Sequence, residues 1–229
     1  MTRMRFKFAL RDSLKHLSHL DMMRLFQRSF RRSGLPLAYS EGYNPHLRFN
    51  LAVPLPVNVT ASEEYGEVFF SEPVTPEWFI AVLKKQLPDG LDLTGAYTVE
   101  NDASLLPSLV RAVLYRAKLI ASLGFKVIPG SYHTALESLM SREEIVALRA
   151  RKKNKNAYVN VRPYIIEAFF KDQECNNQLE LNLMLQAGSQ GGVSPFFVIE
   201  QLEKELDDNS LQKAYWDLNR EKIFFKNGQ

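Results

Sequence analysis

The segment "HLSHLDMMRLFQRSFRRSG", residues 16–34, places His16, His19 and Asp21 within six positions. Two imidazoles and a carboxylate at that spacing raise metal ligation or general acid–base chemistry. Helix geometry separates them. Ser18 to Asp21 is an S-x-x-D start ahead of an apolar run. Ser18 caps the Asp21 amide there, and the Asp21 carboxylate suits the positive end of the helix. His19 is left without a structural role. His19 and Asp21 diverge on a helix, no H-E-x-x-H spacing occurs, and no cysteine is near, so no metal is expected. His46, in the turn "GYNPHLR", is the distant histidine able to approach His19. His19 and His46 are therefore the candidates for a general acid or base.

The tail of the same segment carries phosphate chemistry. At about 100° per residue, Met22, Met23, Phe26 and Phe30 share one face, and Arg24, Arg28, Arg31 and Arg32 gather opposite. Guanidiniums with no acid at i+4 form a stripe suited to phosphates; a solvated face is the alternative. In "GYNPHLR", Tyr43 can stack on a base, Asn44 can read a base edge and Arg48 can hold a phosphate, unless Tyr43 folds down as a lid. "RARKKNKN" brings Arg149, Arg151, Lys152, Lys153 and Lys155 to a hairpin tip, as a second phosphate contact or a solvated turn. "AGSQGGVSP" sets Gly191 and Gly192 before a helix N-terminus, where backbone amides can bind an anion. It lacks the Walker A lysine and the dinucleotide spacing, so no nucleotide cofactor is expected. Nucleophile elements are missing too: there is no G-x-S-x-G, and Cys175 sits beside Glu174, which disfavours its thiolate.

The charge distribution supports an anionic partner. The net charge of +3 is built from blocks of +7 (residues 1–60), −7 (61–110), +7 (111–160) and −4 (161–229). Hydrophobic residues make up 45%, enough for a core. No apolar run of membrane-spanning length and no secretory leader pattern occurs, which points to the cytoplasm.

Two similar halves must position these residues. The first reads as strand ("MRFKFAL"), helix (18–32), short strands ("LPLAYS", "LRFNLAVPL"), strand ("EEYGEVFF"), helix ("TPEWFIAVLKKQL") and strand ("LDLTGAYTV"). The second repeats the order: "VRAVLYRAKLI", helix "YHTALESLM", "EIVALRA", "YVNVRPYIIEAFF", "QLELNLMLQ", helix "SPFFVIEQLEKEL", and "AYWDLNREKIFF". Ser/Thr-Pro opens the second helix of each half, Thr75-Pro76 and Ser194-Pro195. The expected fold is α+β, with tandem ferredoxin-like βαββαβ halves over 1–100 and 109–229, and a linker at 101–108. A single mixed domain is the alternative.

The sequence also resembles the bacterial family of radical-SAM-linked proteins. The motifs are Ser18-His19-Leu20-Asp21, Arg31-Arg32 ahead of Gly34-Leu35-Pro36, Tyr39-Ser40, Gly42-Tyr43-Asn44-Pro45-His46 with Arg48, Pro54-Leu55-Pro56, and Glu64-Tyr65 with Glu67. Leu47 and Asn58 stand where the family usually has proline and glycine. The match is densest over residues 5–70. The resemblance implies partnership with a separately encoded radical SAM enzyme, and the family's neighbourhood of ribonuclease and ribosomal-protein genes points to RNA. With one cysteine, this chain lacks the C-x-x-x-C-x-x-C of the radical enzyme itself. Its architecture is also similar to that of CRISPR repeat-processing endoribonucleases. The expectation is an RNA-binding accessory protein for tRNA, rRNA or ribosome modification. The alternatives are a metal-independent endoribonuclease using His19 or His46, and a protein-only adaptor.

Overall fold

The computed structural model describes residues 2–122, 127–151, 155–171, 179–206 and 214–226, with side chains outside 149–157. The chain divides into two compact units, Met1–Val110 with Arg220–Gln229, and Arg111–Asn219.

The first unit contains β1 (Thr2–Leu10), α1 (His19–Arg32), β2 (Phe49–Leu51), β3 (Val59–Phe70), α2 (Pro76–Leu83), β4 (Leu91–Val99) and the short α3 (Leu106–Leu109). β1 runs antiparallel between β3 and β4, and β2 pairs with β3 through Phe49↔Val68. This is the ferredoxin-like order, with the second strand cut to three residues. Alternation along β1 buries Met4, Phe6, Phe8 and Leu10 against Phe26 and Phe30 of α1 and Phe79 of α2. Phe6 lies at the centre, 5.4 Å from the Phe26 ring and 5.6 Å from Phe79. It stands opposite Gly66 in the β1–β3 register, and a Cβ at Gly66 would fall 2.2 Å from the Phe6 ring. Here the glycine is required by close approach rather than by backbone conformation.

"LPLAYS" and most of "LRFNLAVPL" are not strands. They contribute only the bridges Leu37↔Phe70 and Tyr39↔Leu47 and the three residues of β2. Pro36, Pro45 and Pro54 lack ladder donors, and Gly42 turns at φ 118°.

The second unit contains β5 (Val110–Ala121, its first residue in the first unit), α4 (Pro129–Ser141), β6 (Val146–Arg151), β7 (Lys155–Asn160), β8 (Ile165–Lys171), β9 (Glu180–Gln186), α5 (Pro195–Lys204) and the start of β10 (Ala214–Phe225). Its strand order is β10-β5-β9-β8, again ferredoxin-like. β6 and β7 form a separate two-stranded sheet inserted between α4 and β8. The continuous strand expected over "YVNVRPYIIEAFF" is broken by a 3₁₀ turn at Arg162–Tyr164, where Pro163 removes a donor. α4 and α5 bury Leu136, Leu139, Val198 and Leu202. Trp216 of β10 donates Nε1–H to Glu203 at 3.0 Å and meets the Tyr132 ring edge-on at 6.1 Å. β10 does not end in this unit: Arg220–Gln229 group with the first, where Arg220 bonds Glu64 and Phe225 packs 4.9 Å from Tyr65.

Candidate nucleic-acid interface

Ser18 starts α1 as expected and shapes its first turn. Its Oγ accepts from the Asp21 amide at 3.2 Å and donates to Asp21 Oδ2 at 2.6 Å, so the carboxylate returns to the hydroxyl. The Ser18 hydroxyl, and then Arg24, hold Asp21 below its ordinary value. Met22, Phe26, Ser29 and Phe30 are buried, which turns the arginines outward. Arg24, Arg28 and Arg32 follow one another at i+4, so they rise about 6 Å per step along the axis.

These three arginines line a groove of about 540 Å³ between α1 and the turn after α2, with Leu17, Leu25, Gln86, Leu87 and Pro88 as walls. Two of the cations are braced. Arg24 pairs with Asp21 at 3.4 Å. Arg32 donates to the Gln86 carbonyl at 2.7 Å, to Gln86 Oε1 at 3.3 Å and to Ser29 Oγ at 3.3 Å. Arg28 is exposed between them and makes no hydrogen bond or ion pair among the described residues. No acid stands at i+4 to the arginines, but Asp21 reaches Arg24 from three residues before it. Arg31 is exposed, as expected, and does not line the groove.

His19 faces elsewhere. It is half-buried beside Phe8, Met22, Leu51, Val53, Leu55 and Glu64, around a cavity of about 10 Å³. That space admits about one water and no substrate. Burial, and then the charge of Arg220, push its imidazole below its ordinary value. Glu64 is buried and accepts from Arg220 Nε at 2.5 Å and from Nη2. Burial pushes Glu64 up, against the pull of Arg220. Arg220 also donates to the carbonyls of Pro54 at 3.0 Å and Val53 at 3.3 Å. Pro54 and Glu64 of the motifs are thereby tied to one buried guanidinium. His46 is exposed, its amide donating to Ser40 Oγ at 2.9 Å, and no described contact joins it to His19. His16 contacts Asn58 through Nδ1 at 2.7 Å.

In the "GYNPH" turn Tyr43 is fully exposed, so it is not a lid, and Asn44 is exposed beside it. Arg48 is half-buried and lies over the Phe69 ring at 4.3 Å, a cation–π contact. Glu67 is fully buried and accepts from Arg3 at 2.7 Å and Arg5 at 3.1 Å. Both arginines also donate to the Ser104 carbonyl, which pins the expected linker to β1. Sequence reading missed Arg3, Arg5, Glu64, Glu67 and Arg220 as a set: Glu64 and Glu67 stood among the motifs, but nothing marked which arginines they meet.

In the second unit the Gly-rich loop has a packing rationale. Gly191 has φ 94°, and a Cβ on Gly192 would lie 2.5 Å from the Gln186 carbonyl oxygen. Ser194 precedes α5 without a side-chain capping bond. The side chains of Arg151, Lys152, Lys153 and Lys155, and all of Cys175, lie outside the described residues. Among the described residues no group of three His, Cys, Asp or Glu could hold a metal, and no helix is long and apolar enough to cross a membrane.

Residues 3–195 match the family described as "Uncharacterized protein conserved in bacteria (DUF2344)". No curated protein matches the chain. A solved structure titled "Crystal Structure of a Cbf5-Nop10-Gar1 Complex" is similar over 95% of this chain, with 11% identity and a TM-score of 0.48. This chain spans 49% of that one.

Proposed function

The chain belongs to this bacterial family, and from that premise we propose that it is a cytoplasmic RNA-binding accessory protein. It acts with a radical SAM enzyme in the modification of tRNA, rRNA or the ribosome. The observation that carries the reading is the groove of Arg24, Arg28 and Arg32. Three arginines at i+4 spacing, with about 6 Å of helix rise between successive positions, form a line of charge suited to a polyanion. Asp21 and Gln86 keep the outer two in place, which lowers the ordering entropy a ligand must overcome. Leu25, Leu87 and Pro88 give the groove apolar walls for a sugar or a base face. Tyr43, fully exposed on its turn, is a candidate stacking residue. The radical SAM partnership rests on the Ser18–Asp21 and "GYNPH" motifs rather than on the groove.

The test is a pull-down of tagged full-length protein from cells, with and without nuclease, for wild type and Arg28→Glu with Arg32→Glu. The reading expects tRNA or rRNA fragments with wild type and their loss with the double variant. A radical SAM enzyme retained after nuclease, with no RNA in the untreated sample, would favour the protein-only adaptor.

A further inference from the structure

We propose that the β6–β7 hairpin presents a base-stacking face for single-stranded RNA, with Tyr158 at its centre. The inference rests on the RNA reading above and adds the form of the RNA. Leu148 and Tyr158 are directly opposite in the antiparallel register, and Val146 is two residues from Leu148 on the same face. All three are open to solvent: Tyr158 is 78% exposed, Leu148 56% and Val146 50%. The intervening Ala147, like Ile145 and Val161 at the root, is buried. One face of the hairpin therefore packs down while the other offers an apolar, aromatic surface without a described partner.

The root is held firmly, which a recognition element needs. The Asn160 side-chain oxygen accepts from the amides of Ile145 at 3.1 Å and Arg162 at 3.0 Å. The Arg162 guanidinium donates to the carbonyls of Met140 at 3.1 Å and Ile165 at 3.2 Å. A two-stranded sheet alone is marginal in water, so these bonds and the buried face keep the strands paired.

Charge selects the occupant. Apart from Arg162, whose guanidinium is used at the root, residues 145–166 carry five Lys/Arg and no Asp/Glu. A polyanion with flat apolar faces suits both the charge of this segment and the tyrosine ring, and an unpaired RNA strand is such a molecule. A duplex keeps its bases stacked on one another and offers the ring no face.

The experiment measures affinity of the full-length protein for a single-stranded RNA and a duplex of equal length. It compares wild type, Tyr158→Ala, Tyr158→Phe and Arg28→Glu with Arg32→Glu. Tyr158→Ala is expected to weaken single-strand binding roughly tenfold, while the salt dependence stays the same and duplex affinity is unaltered. Tyr158→Phe is expected to bind as wild type, because stacking uses the ring and not the hydroxyl. Tyr158 is exposed, and an unchanged melting temperature checks that the variants fold. Wild-type single-strand affinity in Tyr158→Ala, with binding lost in the arginine variant, overturns the hairpin face and leaves the RNA reading standing. Loss of a co-purifying protein from Tyr158→Ala with RNA affinity unchanged overturns it in favour of a protein-docking face. No RNA binding by wild type overturns both.

Discussion

His19 changes meaning once its neighbours are known. It is half-buried beside a buried Glu64–Arg220 pair, with room for about one water, and burial and then the Arg220 charge push its imidazole below its ordinary value. Its folded-state proton affinity lies below that of the unfolded chain, so protonation favours unfolding. The stability tied to neutral His19 is full above the unfolded value near 6.5 and is lost as pH falls through that range. Melting temperature is therefore expected to drop from about pH 7.5 to about pH 5.5 by less in His19→Gln than in wild type. An equal drop in both would remove His19 from the account. Glu64 invites a second test. Glu64→Gln leaves Arg220 buried without a full counter-charge and should cost about 3 kcal/mol in urea unfolding. Glu64→Gln combined with Arg220→Met should cost less than the sum of the two single changes, because they share one interaction.

At the scale of elements, α1 was the most legible part of the chain. Its apolar period, its Ser18 cap and its outward arginines are all local features, and local geometry decides them. Ser18→Ala should cost about 1 kcal/mol through the lost cap, measured by thermal or urea unfolding. Gly66→Ala should be worse than an ordinary strand substitution, because its Cβ would meet the Phe6 ring. The "LPLAYS" strand failed for a local reason as well, since proline spacing outweighed the hydrophobic alternation. The buried ion pairs could not be read at all. Arg220 and Glu64 are 156 positions apart, and nothing in either strand marks its partner. The motif residues Pro54, Glu64 and Glu67 look functional in sequence, yet the bonds they make serve the fold.

For the whole molecule, the repeated strand–helix order and the paired Ser/Thr-Pro helix starts were enough to reach tandem ferredoxin-like units. The last strand was harder to place, because β10 leaves the second unit at Asn219 and finishes in the first. The groove was half legible: the arginine face followed from period, but its opposite wall of Gln86, Leu87 and Pro88 comes from a distant turn. The central claim is that this groove neutralises RNA phosphates, and salt dependence tests it most directly. Affinity for a single-stranded tRNA or rRNA fragment should be measured across a salt series, for wild type and for Arg24→Gln with Arg28→Gln and Arg32→Gln. Each phosphate contact adds about 0.7 to the slope of log affinity against log salt, so losing three should flatten the slope by about two. An unchanged slope and affinity in the triple variant would contradict the account.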